Sequence, residues 1–67
     1  MSVTERIIET VEQGRRLGFR DDEVDKMLYA IGCTRVIHIA ETLIAYYVDA
    51  GEEHFIVIAI SAVGPES

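Results

Sequence analysis

The chain contains 67 residues, with a formal net charge of −6 and one cysteine. A chain this short forms a single domain with a small core and is marginally stable without additional help. One cysteine excludes an intramolecular disulfide, and a free thiol favours a reducing compartment, so we expect a cytoplasmic protein. The first residues do not resemble a signal peptide, and the apolar stretch 54–63 is too short to span a bilayer. We therefore predict one domain over residues 1–67, stabilised by homodimerisation.

Charge is distributed unevenly along the chain. The first 32 residues carry five basic and seven acidic side chains, whereas residues 33–67 carry Arg35 against five acidic ones. Nucleic-acid binding requires a basic face, and the one basic cluster is Arg15, Arg16 and Arg20. We therefore expect no direct binding to nucleic acid. The acidic balance favours solubility and a protein partner with a basic surface.

The first segment has the pattern of a helix over about residues 3–17. Ser2 and Glu5 have the spacing of a capping box, in which each side chain bonds the backbone of the other residue. Gly18 is the expected left-handed residue after the helix. Apolar side chains recur at helical spacing: Val3, Ile7, Ile8 and Val11.

A second helix is predicted over about residues 21–31. Asp21 or Asp22 is the expected N-cap, and acidic side chains in the first turn suit the helix dipole. Gly32 ends the pattern. The apolar stripe is Val24, Met27, Leu28 and Ile31.

The segment from residue 34 to residue 48 can be interpreted in two ways. Its alternating, β-branched side chains favour strands at about 35–40 and 43–49, with a break at Glu41-Thr42. Interpreted as a helix, it would be apolar nearly all round. A further strand is predicted at about 53–63, after a polar hairpin tip. Both of its faces are apolar, so we expect the helices to cover one face and a second subunit to cover the other.

No residue pattern points to catalysis, a cofactor or a metal. His38, His54 and Cys33 match no metal-ligand spacing, and Cys33 has no identifiable base to activate it. The candidate site is instead a partner-binding surface, because tyrosine is enriched at interface hot spots and the tip is acidic. Its predicted members are Tyr46, Tyr47, Phe55, Ile56, Ile58, Glu52 and Glu53.

The C-terminal half resembles the RelE/ParE toxin superfamily. The hairpin sequence at 45–49, the apolar run at 55–60 and Gly64 look like the closing hairpin and strand of that family, which places two helices before an antiparallel sheet. The usual first strand has no counterpart, and Arg35 is the only basic residue after Lys26. The resemblance therefore implies the fold without the basic residues that ribosome-dependent members use against RNA.

A second pattern is a helix-turn-helix with a β-wing, in which Arg35 to Ala45 would form the recognition helix. That helix would present Val36, Ile37, His38 and Ile39 beside a single arginine, which does not suit DNA reading. A protein of this fold would bind protein instead.

We predict an α+β fold, with two N-terminal helices on an antiparallel sheet of two or three strands; the alternative is three helices plus a β-hairpin wing. The favoured function is a non-enzymatic module that binds and modulates or inhibits another protein, as small acidic phage and mobile-element proteins often do. A transcriptional or toxin–antitoxin component is the second hypothesis. The third is a small enzyme with an inter-subunit site that uses His38, His54 and Cys33.

Overall fold

A computed structural model describes residues 2–59, which form two helices followed by three strands. The strands form one antiparallel sheet in the order β1-β2-β3, so the predicted α+β arrangement is confirmed. The elements are α1 (Val3–Arg16), α2 (Asp21–Ala30), β1 (Arg35–Ile39), β2 (Thr42–Asp49) and β3 (Glu52–Ala59).

The ambiguous segment is β-structure. Residues 35–39 and 42–49 pair with each other, with Ile37 opposite Ile44. The alternative fold with a third helix is therefore wrong. The β-branched residues of this segment fit a pleated surface better than a helix. Residues 60–63 of the predicted last strand lie outside the described residues.

Helix α1 begins as predicted. Ser2 donates its backbone N–H to Glu5 Oε1 at 3.0 Å, and the Ser2 hydroxyl accepts from the Glu5 backbone N–H at 3.2 Å. The hydrogen bond from the Ser2 backbone, followed by that from its side chain, lowers the pKa of the Glu5 carboxyl. After Arg16 the chain turns at Gly18, whose φ of 81° is left-handed.

The predicted cap of α2 is wrong by one residue. Arg20 is the N-cap, and its backbone N–H donates to Glu23 Oε1 at 2.9 Å. Asp21 is the first helical residue rather than the cap. The glutamate three residues after the N-cap takes the reciprocal role of a capping box, which the choice between Asp21 and Asp22 overlooked.

Two-residue turns connect the strands. Ala40-Glu41 joins β1 to β2, and Ala50-Gly51 joins β2 to β3, with Asp49 opposite Glu52. Ala50 and Gly51 both have positive φ, 55° and 80°. Positive φ at both central residues is the type I′ geometry that suits the twist of a hairpin.

The helices cover one face of the sheet and form the core with it. Both helices contribute two fully or almost fully buried side chains, and β2 contributes two more. The buried apolar set is Ile7, Val11, Val24, Leu28, Cys33, Leu43, Ala45 and Ile58.

Gly14 lets the two helices approach closely. A Cβ at this position would lie 2.9 Å from Val24 Cγ2, which is too short for a carbon–carbon contact. Val24 is β-branched and has little freedom to move aside. The glycine that weakens α1 locally is therefore required by the packing of α2.

The substitution Gly14→Ala tests this contact. Alanine favours a helix over glycine by about 1 kcal/mol, but overpacking a core costs about 1–3 kcal/mol. We expect a net loss in the free energy of unfolding, measured by urea denaturation. In a Val24→Ala background the obstructing methyl groups are absent, so the same substitution should stabilise. Stabilisation by Gly14→Ala in the wild-type background would contradict the close approach.

The turn at Ala50 provides a second test. A left-handed conformation costs an ordinary residue about 1–2 kcal/mol, and asparagine adopts it more readily. Ala50→Asn should raise the free energy of unfolding by about 1 kcal/mol, since it relieves part of that cost. Ala50→Val is the opposing control and should lower it. Equal urea midpoints for the two variants would contradict the type I′ turn.

Candidate functional site

Side chains along the three strands alternate between two faces of the sheet. Leu43 and Ala45 of β2 and Ile58 of β3 point towards the helices and are buried. Because successive side chains of a strand point to opposite faces, their neighbours along each strand point away from the helices. The chain therefore has one covered sheet face and one on the opposite side.

The opposite side, here called the outer sheet face, is apolar. Four of its side chains are more than half exposed: Ile39 at 57%, Val48 at 55%, Phe55 at 59% and Val57 at 58%. Within the described range no helix or strand lies over it. Its apolar members are Ile37, Ile39, Ile44, Tyr46, Val48, Phe55 and Val57.

An aromatic pair lies in this face. Tyr46 and Phe55 are directly opposite each other on β2 and β3, with ring centroids 5.6 Å apart and ring planes tilted by 39°. The guanidinium carbon of Arg35, on the neighbouring β1, lies 5.4 Å from the Tyr46 ring centroid. A tilted aromatic pair and a cation over a ring each add a modest attraction. The row Arg35-Tyr46-Phe55 thus forms an ordered strip across the sheet.

Acidic side chains lie at one end of the outer sheet face. Asp49, Glu52 and Glu53 surround the turn between β2 and β3, and all three are exposed. Glu53 lies opposite Val48 and so shares the outer side of the sheet. The end of the apolar surface therefore has negative charge, as the predicted acidic tip requires.

The predicted partner-binding residues are divided between the two faces. Tyr46 and Phe55 belong to the outer sheet face, and Glu52 and Glu53 belong to the acidic tip. Ile58 is buried in the core at 8% exposure, and Ile56 packs against that core.

Tyr47 is anchored towards the helices as well. Its hydroxyl lies 3.2 Å from the Thr4 hydroxyl of α1, and its ring stacks on His54 with centroids 5.6 Å apart. The partner-binding role predicted for Tyr47, Ile56 and Ile58 stays a prediction, while their contacts here are with the rest of the chain.

Five residues of the outer sheet face were missed by the sequence prediction. Alternation could have found them, since Ile44 and Val48 are two residues from Tyr46 and Val57 is two residues from Phe55. Enrichment at interfaces distinguishes the aromatic residues, whereas the aliphatic residues on the same side carry no such signal. The missed residues are Ile37, Ile39, Ile44, Val48 and Val57.

The histidines interact separately with carboxylates. His38 Nε2 of β1 lies 2.8 Å from Asp25 Oδ1 of α2, which ties that helix to the sheet edge. His54 Nε2 lies 3.9 Å from Glu52 Oε1. Among residues 2–59, no three His, Cys, Asp or Glu side chains are grouped so as to hold a metal ion.

Cys33 lies in the core rather than at a reactive surface. Its exposure is 6%, and burial raises the pKa of its thiol. A thiol nucleophile needs access and a lowered pKa. Cys33 is instead buried, and the pKa of its thiol is raised.

Comparisons with known proteins return no match: no family model, no curated protein and no solved structure is similar to this chain. The RelE/ParE resemblance accordingly stays a prediction. None of the helices in the described part is long and apolar enough to cross a membrane.

Cys33 provides a direct test of the third hypothesis. Because the thiolate is the reacting form, the folded pKa is raised and the side chain is 6% exposed, we expect native protein at pH 8 to react with a disulfide reagent much more slowly than urea-unfolded protein. The raised folded pKa also means that the thiol favours the folded state below the ordinary pKa, and that this contribution is lost at higher pH. Equal rates for native and unfolded chains would contradict the buried thiol.

Proposed function

We propose that the protein is a small non-enzymatic interaction module that binds another protein through its outer sheet face and thereby modulates or inhibits it. The observation that carries the proposal is one side of a three-stranded sheet on which no helix or strand of residues 2–59 covers the seven apolar side chains, four of them more than half exposed.

Contiguous exposed apolar surface is uncommon on small folded proteins and usually marks an interaction site. Leaving Phe55 and Val57 more than half exposed forgoes roughly 25 cal/mol for each Å² of apolar area that could be buried. A partner that covers them recovers this free energy. The surface therefore suits binding to apolar area on a second protein.

One row of side chains across the surface has the composition of an interface anchor. Tyrosine, phenylalanine and arginine are enriched at protein–protein contacts, and Arg35, Tyr46 and Phe55 form one row. Their mutual contacts hold the rings in place before binding, which lowers the entropy lost on association.

The acidic tip supports a partner with a basic surface next to its apolar patch. Asp49, Glu52 and Glu53 are exposed and close to the outer sheet face, where they can steer association. Charges at the rim of an interface chiefly alter the rate of association and its salt dependence. The same charge disfavours nucleic acid as the partner.

A crosslinking experiment tests the proposed function. Replacing Tyr46, which lies on the central strand, by the photoreactive analogue benzoylphenylalanine keeps an aromatic ring in the outer sheet face. The same replacement at Phe19, which lies between the two helices in sequence and is 37% exposed, is the matched control. After irradiation in a lysate of the source organism, we expect one discrete protein adduct from position 46 and none from position 19.

Competition separates a specific site from general stickiness. An excess of unlabelled wild-type chain should abolish the adduct, whereas the same excess of a Tyr46→Glu variant should leave it unchanged. The mass of the adduct distinguishes a different protein from a second copy of this chain. Equal labelling from both positions, or an adduct with itself alone, would contradict the proposed function.

A further inference from the structure

The two edges of the sheet differ in how their backbone groups are satisfied. Strands β1 and β3 are both edge strands in the described range. At the β1 edge, the backbone N–H of Val36 donates to the Tyr29 hydroxyl of α2 at 3.2 Å. A side chain from the helix layer therefore occupies part of this edge.

The bond to Tyr29 also fixes which backbone groups point outwards. In an antiparallel pair, the N–H and C=O of one residue point to the same side, and this side alternates along the strand. Because the backbone N–H of Val36 points away from β2, the backbone groups of the next residue, Ile37, point towards β2 and bond those of its partner Ile44. By the same alternation along β2, the backbone groups of Ala45 point towards β3. Ala45 therefore bonds its partner Ile56.

The same alternation identifies the outward groups of β3. If Ile56 and Ile58 bond β2, then the N–H and C=O groups of the intervening residues point away from the sheet. These outward-pointing residues are Glu53, Phe55, Val57 and Ala59.

From Phe55 to Ala59 the β3 edge carries no charged side chain, whereas Glu52 and Glu53 lie next to the turn. Natural sheets protect exposed edges with lysine, proline, bulges or a covering element. Residues 52–59 contain neither lysine nor proline, and their pairing with β2 runs without a bulge. No other strand of residues 2–59 lies beyond β3.

We propose that a second copy of the chain pairs with β3, antiparallel and two-fold symmetric, to form a continuous six-stranded sheet. The axis passes between Ile56 and the partner's Ile56. This register places Phe55 opposite the partner's Val57 and Glu53 opposite the partner's Ala59. Each of these outward-facing pairs exchanges two backbone hydrogen bonds.

The identity of the partner strand follows from self-complementarity. An antiparallel edge can pair with its own copy, and this register uses every outward-pointing residue of β3. No two acidic residues lie opposite each other, and Phe55 meets a β-branched residue, which is a favourable cross-strand pair. An unrelated peptide would require a matching sequence for which the chain gives no indication.

Pairing at β3 goes beyond the proposed function and does not depend on it. The two-fold axis is perpendicular to the sheet, so both outer sheet faces lie on the same side and form one wider surface. The surface proposed for a different protein stays open in this dimer.

Amide hydrogen exchange tests the pairing directly. In the dimer the amides of Phe55 and Val57 bond the partner strand, whereas in a monomer they point to solvent. We expect their exchange, measured by NMR, to slow at least tenfold as the protein concentration rises, together with a change in mass from 7.5 kDa to twice that value. Ile56 and Ile58 bond β2 in either state and are the internal controls.

A pair of variants tests how much the outward-pointing N–H of Val57 contributes to dimerisation. Val57→Pro removes this donor but leaves the bonds of its neighbours to β2, so it should weaken dimerisation at least tenfold. Val57→Thr keeps both the N–H and the β-branch and should not. Circular dichroism establishes that each variant is folded, and the exchange measurement on the wild-type chain stands whether or not the proline variant folds.

Two results would overturn the inference. One is a chain that stays monomeric at millimolar concentration with rapid exchange at Phe55 and Val57. The other is a dimer in which these two amides still exchange rapidly, because its interface would then lie elsewhere. Neither result bears on the crosslinking from the outer sheet face, so the two proposals fail separately.

Discussion

The main constraint on this structure is that the sheet has two apolar faces and the described helices cover one of them. Three strands supply apolar side chains to both sides of a sheet, and the described residues supply two helices, which pack on one side. The core that results is small, and its largest fully buried side chains are Ile7, Leu28 and Leu43. A two-layer domain of this size buries a limited share of its surface. The exposed outer sheet face therefore follows from the composition of the strands and from the two helices that residues 2–59 supply, and both proposed interactions rest on the incomplete coverage of the sheet.

The two helices bury little area, and they pack closely against each other and against one edge of the sheet. Gly14 lets α1 pack against Val24 of α2, and the interaction between His38 and Asp25 ties α2 to β1. The Tyr29 hydroxyl makes a second connection from α2 to the backbone of β1. These contacts hold one edge of the sheet under the helices. The β3 edge has no equivalent contact from α2 among the hydrogen bonds of the described residues, and this asymmetry is the reason that we propose pairing at β3 rather than at β1.

The sequence predicted the elements better than it predicted their surroundings. Two local signals are the capping pair Ser2 and Glu5 and the alternation in 53–59. Such signals determine where elements begin and which side chains share a face. Residues 34–48 fit both a helix and a strand pattern, because periodicity does not distinguish the two in a short apolar segment. Long-range pairing between β1 and β2 decided between the two patterns in favour of strands.

The candidate surface was predicted only in part, because the face of a strand that is covered depends on long-range contacts. Tyr46 and Tyr47 are adjacent in sequence, and composition alone does not indicate which one faces the helices. The hydroxyl contact of Tyr47 with Thr4, 43 residues earlier, settles its side, and no local pattern contains that information. Aliphatic residues such as Ile44 and Val57 join the surface through register rather than through any property of their own. Register is a property of the pairing of whole strands.

The most direct test of the central claim is the accessibility of side-chain methyl groups to a soluble paramagnetic chelate, measured by NMR on the dilute chain. The account predicts strong relaxation enhancement for the methyl groups of Ile39, Val48 and Val57, and weak enhancement for those of Ile7 and Leu43. Protection of the outer methyl groups at the level of the core would mean that the sheet is covered on both sides within one chain, and it would contradict the outer sheet face as a binding surface.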